Sequence, residues 1–140
     1  MKRLMSILFL VALTFTLSSC SSDDDSPASD DIIGIWQYNQ AGGILNGEEF
    51  LIPWESECPG KIEKMEFLSN SVVKDYRYYE DCNLYLEEGN WSYSGNILTI
   101  TANGETNDIE ILLLTQSRLK MKITEEDFDL GHIIIEFKRI

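Results

Sequence analysis

The chain has 140 residues and a formal charge of −13, with 24 acidic side chains against 11 basic ones. That balance argues against nucleic-acid binding, which rests on Lys and Arg neutralising phosphates, and against docking on an anionic membrane surface. The length fits a single domain able to bury an apolar core without structural metals.

Residues 1–19 read as a secretory signal: Lys2 and Arg3, then an apolar run over residues 4–17, then Ser18 and Ser19. The run is about 14 residues, short of the roughly 20 a bilayer span needs. The ending "LSSC" resembles the lipobox of bacterial lipoproteins: Leu17, two small residues and Cys20. The resemblance implies cleavage before Cys20 and acylation of its sulfur and its new amine. Several acyl chains on one residue would hold the protein in a membrane, since each buried methylene contributes about 0.8 kcal/mol.

Next comes "SSDDDSPASDD", residues 21–31, with five aspartates and no aromatic or branched aliphatic residue. Such a segment has nothing to bury and reads as a solvated tether. "CSSDDD" also resembles the acidic export signal of lipoproteins from Bacteroidetes-type bacteria, which implies an outer-membrane protein facing the cell exterior. Without that signal the periplasmic face is the alternative. Removal of residues 1–19 takes Lys2 and Arg3 with it and moves the formal charge to −15.

From Ile32 onward the patterning is β. "IIGIWQY" opens the series. The loop over residues 39–54, containing "GGILNGEEFLIPW", leaves the register of the second strand open. "KIEKMEFL" places Met65 and Phe67 on one face. "SVVKDYRYY" places Tyr76 and Tyr78 on one face, with Asp75 and Arg77 on the other. "GNWSYSGNILTI" is a hairpin presenting Trp91, Tyr93, Leu98 and Ile100. "ETNDIEILLLT" presents Ile109, Ile111 and Leu113. "SRLKMKIT" presents Leu119, Met121 and Ile123, and "HIIIEFKRI" presents Ile133, Ile135 and Phe137. Period-2 alternation bounded by Gly, Asn, Asp and Ser marks strands. About eight of them predict an all-β, antiparallel up-and-down barrel, which encloses either packed side chains or one small ligand.

"GIW", with Gly34 and Trp36, resembles the Gly-x-Trp of the first lipocalin strand. The layout that follows, to the closing "FKRI", resembles the small lipocalin-like domains of Bacteroidetes-type lipoproteins over residues 32–140. In lipocalins a basic residue late in the barrel packs on the first-strand Trp. Arg139 and Arg118 are the two candidates here. Fold alone does not assign a function.

With Cys20 assigned to lipid, Cys58 and Cys82 remain, and two cysteines in an exported chain pair. They flank the hairpin of residues 61–79 and would close its open end. There is no metal motif, no cofactor motif and no hydrolase signature. His132 faces solvent by its parity. The alternating Glu125, Asp127 and Asp129 before Gly131 fail the EF-hand spacing and read as an acidic hairpin loop. The aromatics Trp36, Phe67, Tyr76, Tyr78, Trp91 and Tyr93 are expected to share the barrel interior. Trp36, Met65, Phe67, Tyr76, Tyr78 and Trp91 are the expected lining of a cup for a small apolar ligand. The alternative is a filled barrel that engages a protein or glycan through its loops, with Phe50 and Trp54 exposed.

Overall fold

A computed structural model describes residues 29–124 and 131–140. The signal, Cys20, most of the tether and residues 125–130 of the acidic hairpin loop lie outside the described residues. A short 3-10 turn, Ser29–Ile32, leads into nine strands. They are β1 (Gly34–Leu45), β2 (Glu48–Pro53), β3 (Lys64–Phe67), β4 (Val72–Tyr78), β5 (Leu84–Ser94), β6 (Ile97–Ala102), β7 (Glu105–Leu114), β8 (Arg118–Thr124) and β9 (His132–Arg139).

Every pairing is antiparallel, and β1 closes the sheet by pairing with β9 from Trp36↔Arg139 to Gly43↔Ile133. On its other edge β1 pairs first with β3 (Gly34↔Phe67) and then with β2 (Gln40↔Pro53). Eight strands thus form a closed ring, while β2 follows β3 along the same edge of β1. The expected eight-stranded barrel is the observed one.

The second strand, whose register the sequence leaves open, becomes legible in these terms. β1 does not end at Tyr38. It passes an irregularity between Tyr38 and Gln40 and runs on to Leu45. Asn46 and Gly47, both at positive φ, then turn it back into β2, as Asn-Gly pairs do in tight hairpins. Glu49 of β2 reaches Lys120 of β8 at 2.5 Å, so this hairpin curls over the outer face of the barrel.

One end of the barrel is packed solid. Trp36, Phe67, Leu98, Leu119 and Phe137 are all fully buried there, together with Ile32. Phe67 and Trp91 meet edge to face at 5.6 Å, a geometry worth about 0.5–1.5 kcal/mol beyond its burial. Each buried indole N–H finds a carbonyl: Trp36 donates to Ile32 O at 2.7 Å and Trp91 to Leu68 O at 3.1 Å. The Arg139 guanidinium lies 4.1 Å from the Trp36 ring and donates to Ile33 O at 2.7 Å and to Asp31 O. Of the two basic candidates, Arg139 is therefore the one on Trp36. Arg118 instead pairs with Glu136 at 2.6 Å.

Two facing expectations change. In β7 the register shifts between Ile111 and Leu113, so Leu114 rather than Leu113 joins Ile109 and Ile111 at the core. In β4 the inward side chains are Val73, Asp75 and Arg77, and Tyr76 and Tyr78 face out. Val73 pairs with the core residue Phe67, and Asp75 pairs with Met65, which fixes that parity.

Candidate functional site

The end opposite the packed one is the barrel mouth. β1, the segment after β2, the segment before β3, and β4 converge there on a polar cluster. Tyr38 Oη donates to Asp75 Oδ1 at 3.0 Å. Trp54 Nε1 donates to Glu63 Oε2 at 2.6 Å, and the Tyr78 backbone N–H donates to Glu63 Oε1 at 2.9 Å. Glu63 is 5 % exposed, so these donors replace the water its carboxylate has lost. The Arg77 guanidinium lies against both of two adjoining rings, 4.7 Å from Tyr38 and 4.8 Å from Trp54. It also approaches Glu63 at 3.6 Å and Asp75 at 3.8 Å. Tyr38 and Trp54 stack at 4.7 Å, and Tyr38 touches the core through Phe137 at 4.6 Å.

Burial dominates the ionisation of this cluster. It lifts the Asp75 carboxyl to about 6, against the pull of Arg77 and of the Tyr38 hydroxyl in the other direction. Burial, then the neighbouring Asp75 carboxylate, also pushes the Tyr38 phenol upward. Tyr38 therefore stays protonated and acts as the donor.

Beside this cluster, on the β4–β7 side, a pocket of about 200 Å³ enters the barrel. Met65, Val73, Ile100 and Ala102 give it an apolar floor, and Asp75, Glu87 and Asn107 give it a polar rim. A wider cleft of about 500 Å³ shares Asp75 and Glu87 with it and extends to Tyr79 and Tyr85. Those two rings meet edge to face at 4.9 Å.

The expected lining residues separate into three groups. Met65 lines the pocket. Trp36, Phe67 and Trp91 are consumed in the packed end. Tyr76 and Tyr78 are on the outer surface: Tyr76 donates to Glu66 at 3.0 Å beneath Lys64, and Lys61 covers Tyr78. Of the loop aromatics, Phe50 is exposed while Trp54 is half-buried over Tyr38. Cys58 and Cys82 are disulfide-bonded with Cα atoms 5.3 Å apart, tying the β2–β3 segment to the β4–β5 turn. His132 is half-buried on the outer face beside Thr124. Among the described residues no group of three or more His, Cys, Asp or Glu is placed to hold a metal ion.

Sequence reasoning misses Asp75, Arg77 and Glu63 because alternation assigns charged residues to solvent. The available signal is Val73: counted in twos from an apolar anchor opposite Phe67, the inward positions of β4 are 73, 75 and 77.

A family model for the lipocalin-like domain matches residues 32–121. No curated protein matches the chain in sequence. Among solved structures, a lipocalin-like protein from Bacteroides uniformis superposes with a TM-score of 0.57 at 16% identity, covering 79% of this chain and 99% of that one. An uncharacterised protein from Bacteroides eggerthii gives 0.53 at 12%, covering 78% and 99%. Lobster apocrustacyanin A1 gives 0.54 at 16%, covering 83% of this chain and 64% of that one. At these identities the structures speak for the fold alone. The closed ring, the Trp36–Arg139 contact and the family match agree: the chain belongs to the lipocalin-like domain family.

Proposed function

We propose that this protein is an exported lipoprotein, anchored through lipid on Cys20 to the outer membrane and facing the cell exterior, whose barrel mouth holds a small, largely apolar ligand without catalysis. The observation that carries the binding reading is the pocket floored by Met65, Val73, Ile100 and Ala102. A concave apolar floor with a few convergent polar groups is the usual form of a small-molecule site. Its size restricts the guest to a small molecule or to one end of a longer one. The rim refines the choice further. Asp75 and Glu87 would repel a carboxylate, so a neutral or cationic head group suits this mouth better than an anionic one. The anchor rests on the "LSSC" and "CSSDDD" signals in the sequence.

A second reading, contact with a protein or glycan through the loops, draws on the exposed Phe50 and Ile52 of β2. Native mass spectrometry of the chain, isolated gently from its own cells, separates the two. A reproducible small-molecule adduct that disappears in Ala102→Trp, which fills the pocket, supports the carrier. A bare mass for wild type in repeated preparations refutes it and transfers the role to the loops. Incorporation of labelled palmitate, lost in Cys20→Ala, tests the anchor.

A further inference from the structure

The β4–β5 hairpin is longer than its neighbour. β4 pairs with β5 from Tyr78↔Leu84 to Val72↔Asn90, but β6 pairs only with residues 90–94 of β5. The segment from Leu84 to Glu88 therefore has one edge that no strand among the described residues covers. The direction of its hydrogen bonds follows from β4. The Tyr78 N–H points to Glu63, away from β5, so Tyr78↔Leu84 is a pair that exchanges no backbone bonds. Alternation then makes Arg77↔Tyr85 and Asp75↔Glu87 the bonded pairs. The N–H and C=O groups of Leu84, Leu86 and Glu88 consequently face the open edge.

An open edge is a template for another strand, and two features of this one select the strand. Along its inner side lies the cleft of about 500 Å³, where Arg77 is offset by Asp75 and Glu63, and Glu87, which accepts from Asn103, leaves an acidic excess. The Glu88 side chain is on the outer side, paired with Lys74 at 3.2 Å. On its outer side Leu84 and Leu86 are about half exposed, at 51% and 48%. A second copy of this chain is disfavoured by charge, since it would bring together two molecules each at −13. A strand with basic side chains toward the cleft and apolar ones toward Leu84 and Leu86 matches both faces. The geometry points to Leu84, Leu86 and Glu88 as a docking edge for an extended peptide segment that alternates basic and apolar residues. This goes beyond the pocket reading, since the hydrogen bonds come from the β5 backbone rather than from the barrel floor.

The test is a titration of the full chain in non-ionic detergent with a capped seven-residue peptide alternating lysine and valine, followed by amide NMR. The expected result is saturable shifts at residues 84–88, lost when glutamate replaces lysine in the peptide. Leu86→Pro removes one outward N–H yet leaves the β4 ladder intact, because proline is tolerated at edge positions whose N–H faces solvent. It should weaken binding at least tenfold, while the pocket-filling Ala102→Trp leaves it within twofold. Unchanged affinity in a folded Leu86→Pro, equal binding of the glutamate peptide, shifts confined to Met65, Val73 and Ile100, or pairing of two copies through this edge would each overturn the assignment. Loss of small-molecule binding with the peptide response intact would sink only the pocket reading.

Discussion

The contact between Gly34 and Arg139 permits a quantitative check of how the closed end is held. Gly34 has φ +144°, and a Cβ built there would lie 2.4 Å from Arg139 Nη1. Arg139→Ala removes the stacking on Trp36, worth about 1–2 kcal/mol at a partly desolvated site. It also removes the charged hydrogen bond to Ile33 O, worth about 1.5–3 kcal/mol. The expected loss is about 3 kcal/mol, or on the order of 10 °C in Tm for a domain of this size. Gly34→Ala should lose about 1–3 kcal/mol to backbone strain alone, and more because it displaces the guanidinium. In the Arg139→Ala background that second part has already been lost. The double variant should therefore be more stable than the sum of the singles predicts, by about 2 kcal/mol, which is coupling of the size found between contacting residues. Urea unfolding followed by tryptophan fluorescence measures all four corners of the cycle. Strict additivity, or a loss below about 1 kcal/mol for Arg139→Ala, would refute the view that this guanidinium fastens the barrel end.

Asp75 gives a pH prediction with a definite sign. Its carboxyl titrates near 6 in the folded chain, against 3.8 for an unperturbed aspartate, so the folded state binds the proton more tightly. This contribution favours folding below about pH 4 and is lost as pH rises through 6. Relative to Asp75→Asn, wild type should lose about 2–3 kcal/mol between pH 4 and 7; parallel curves for the two proteins would contradict the burial argument. Reducing Cys58–Cys82 releases a loop whose ends are 24 residues apart in sequence. On chain-entropy grounds this costs about 3.5 kcal/mol, to be read as a fall in the urea midpoint with reductant that Cys58→Ser/Cys82→Ser reproduces without it.

Much of the barrel can be read from alternation, and the exceptions have physical causes. β8 is legible because Leu119, Met121 and Ile123 alternate with Arg118, Lys120 and Lys122, leaving one assignment of faces. β4 is not, because both of its faces carry groups able to sit inside: tyrosines on one, and on the other an Asp–Arg pair that Tyr38, Trp54 and Glu63 can satisfy. Hydrophobicity favours the tyrosines; the hydrogen-bonded network at the mouth favours Asp75 and Arg77. Three groups distant in sequence build that network, and no local pattern announces it. In β7 the bulge after Ile111 breaks a run that looks continuous. The β1–β2 hairpin is obscured by Gly42 and Gly43, which weaken a strand reading, although Asn46–Gly47 marks its turn. At Gly42 an added Cβ would strike Phe50 O at 1.9 Å, so the glycine is there for the close approach of β2.

The polarity of the barrel bears on the proposed anchor. The 3-10 turn before β1 is at the packed end, where Arg139 of β9 donates to Asp31 O and the Ile140 N–H donates to Ile35 O. The pocket and the open β5 edge are at the other end, with the Asn46–Gly47 and Asn103–Gly104 turns. Lipid on Cys20, nine residues before the turn at Ser29, would fasten the chain by its packed end and leave the mouth on the side away from the bilayer. A cysteine replacing Gln116 at the packed end, spin-labelled in the lipidated chain, should feel a membrane-bound relaxation agent more strongly than one replacing Asn103. The reverse order would place the mouth against the membrane, and the guest would then be sought among the lipids themselves.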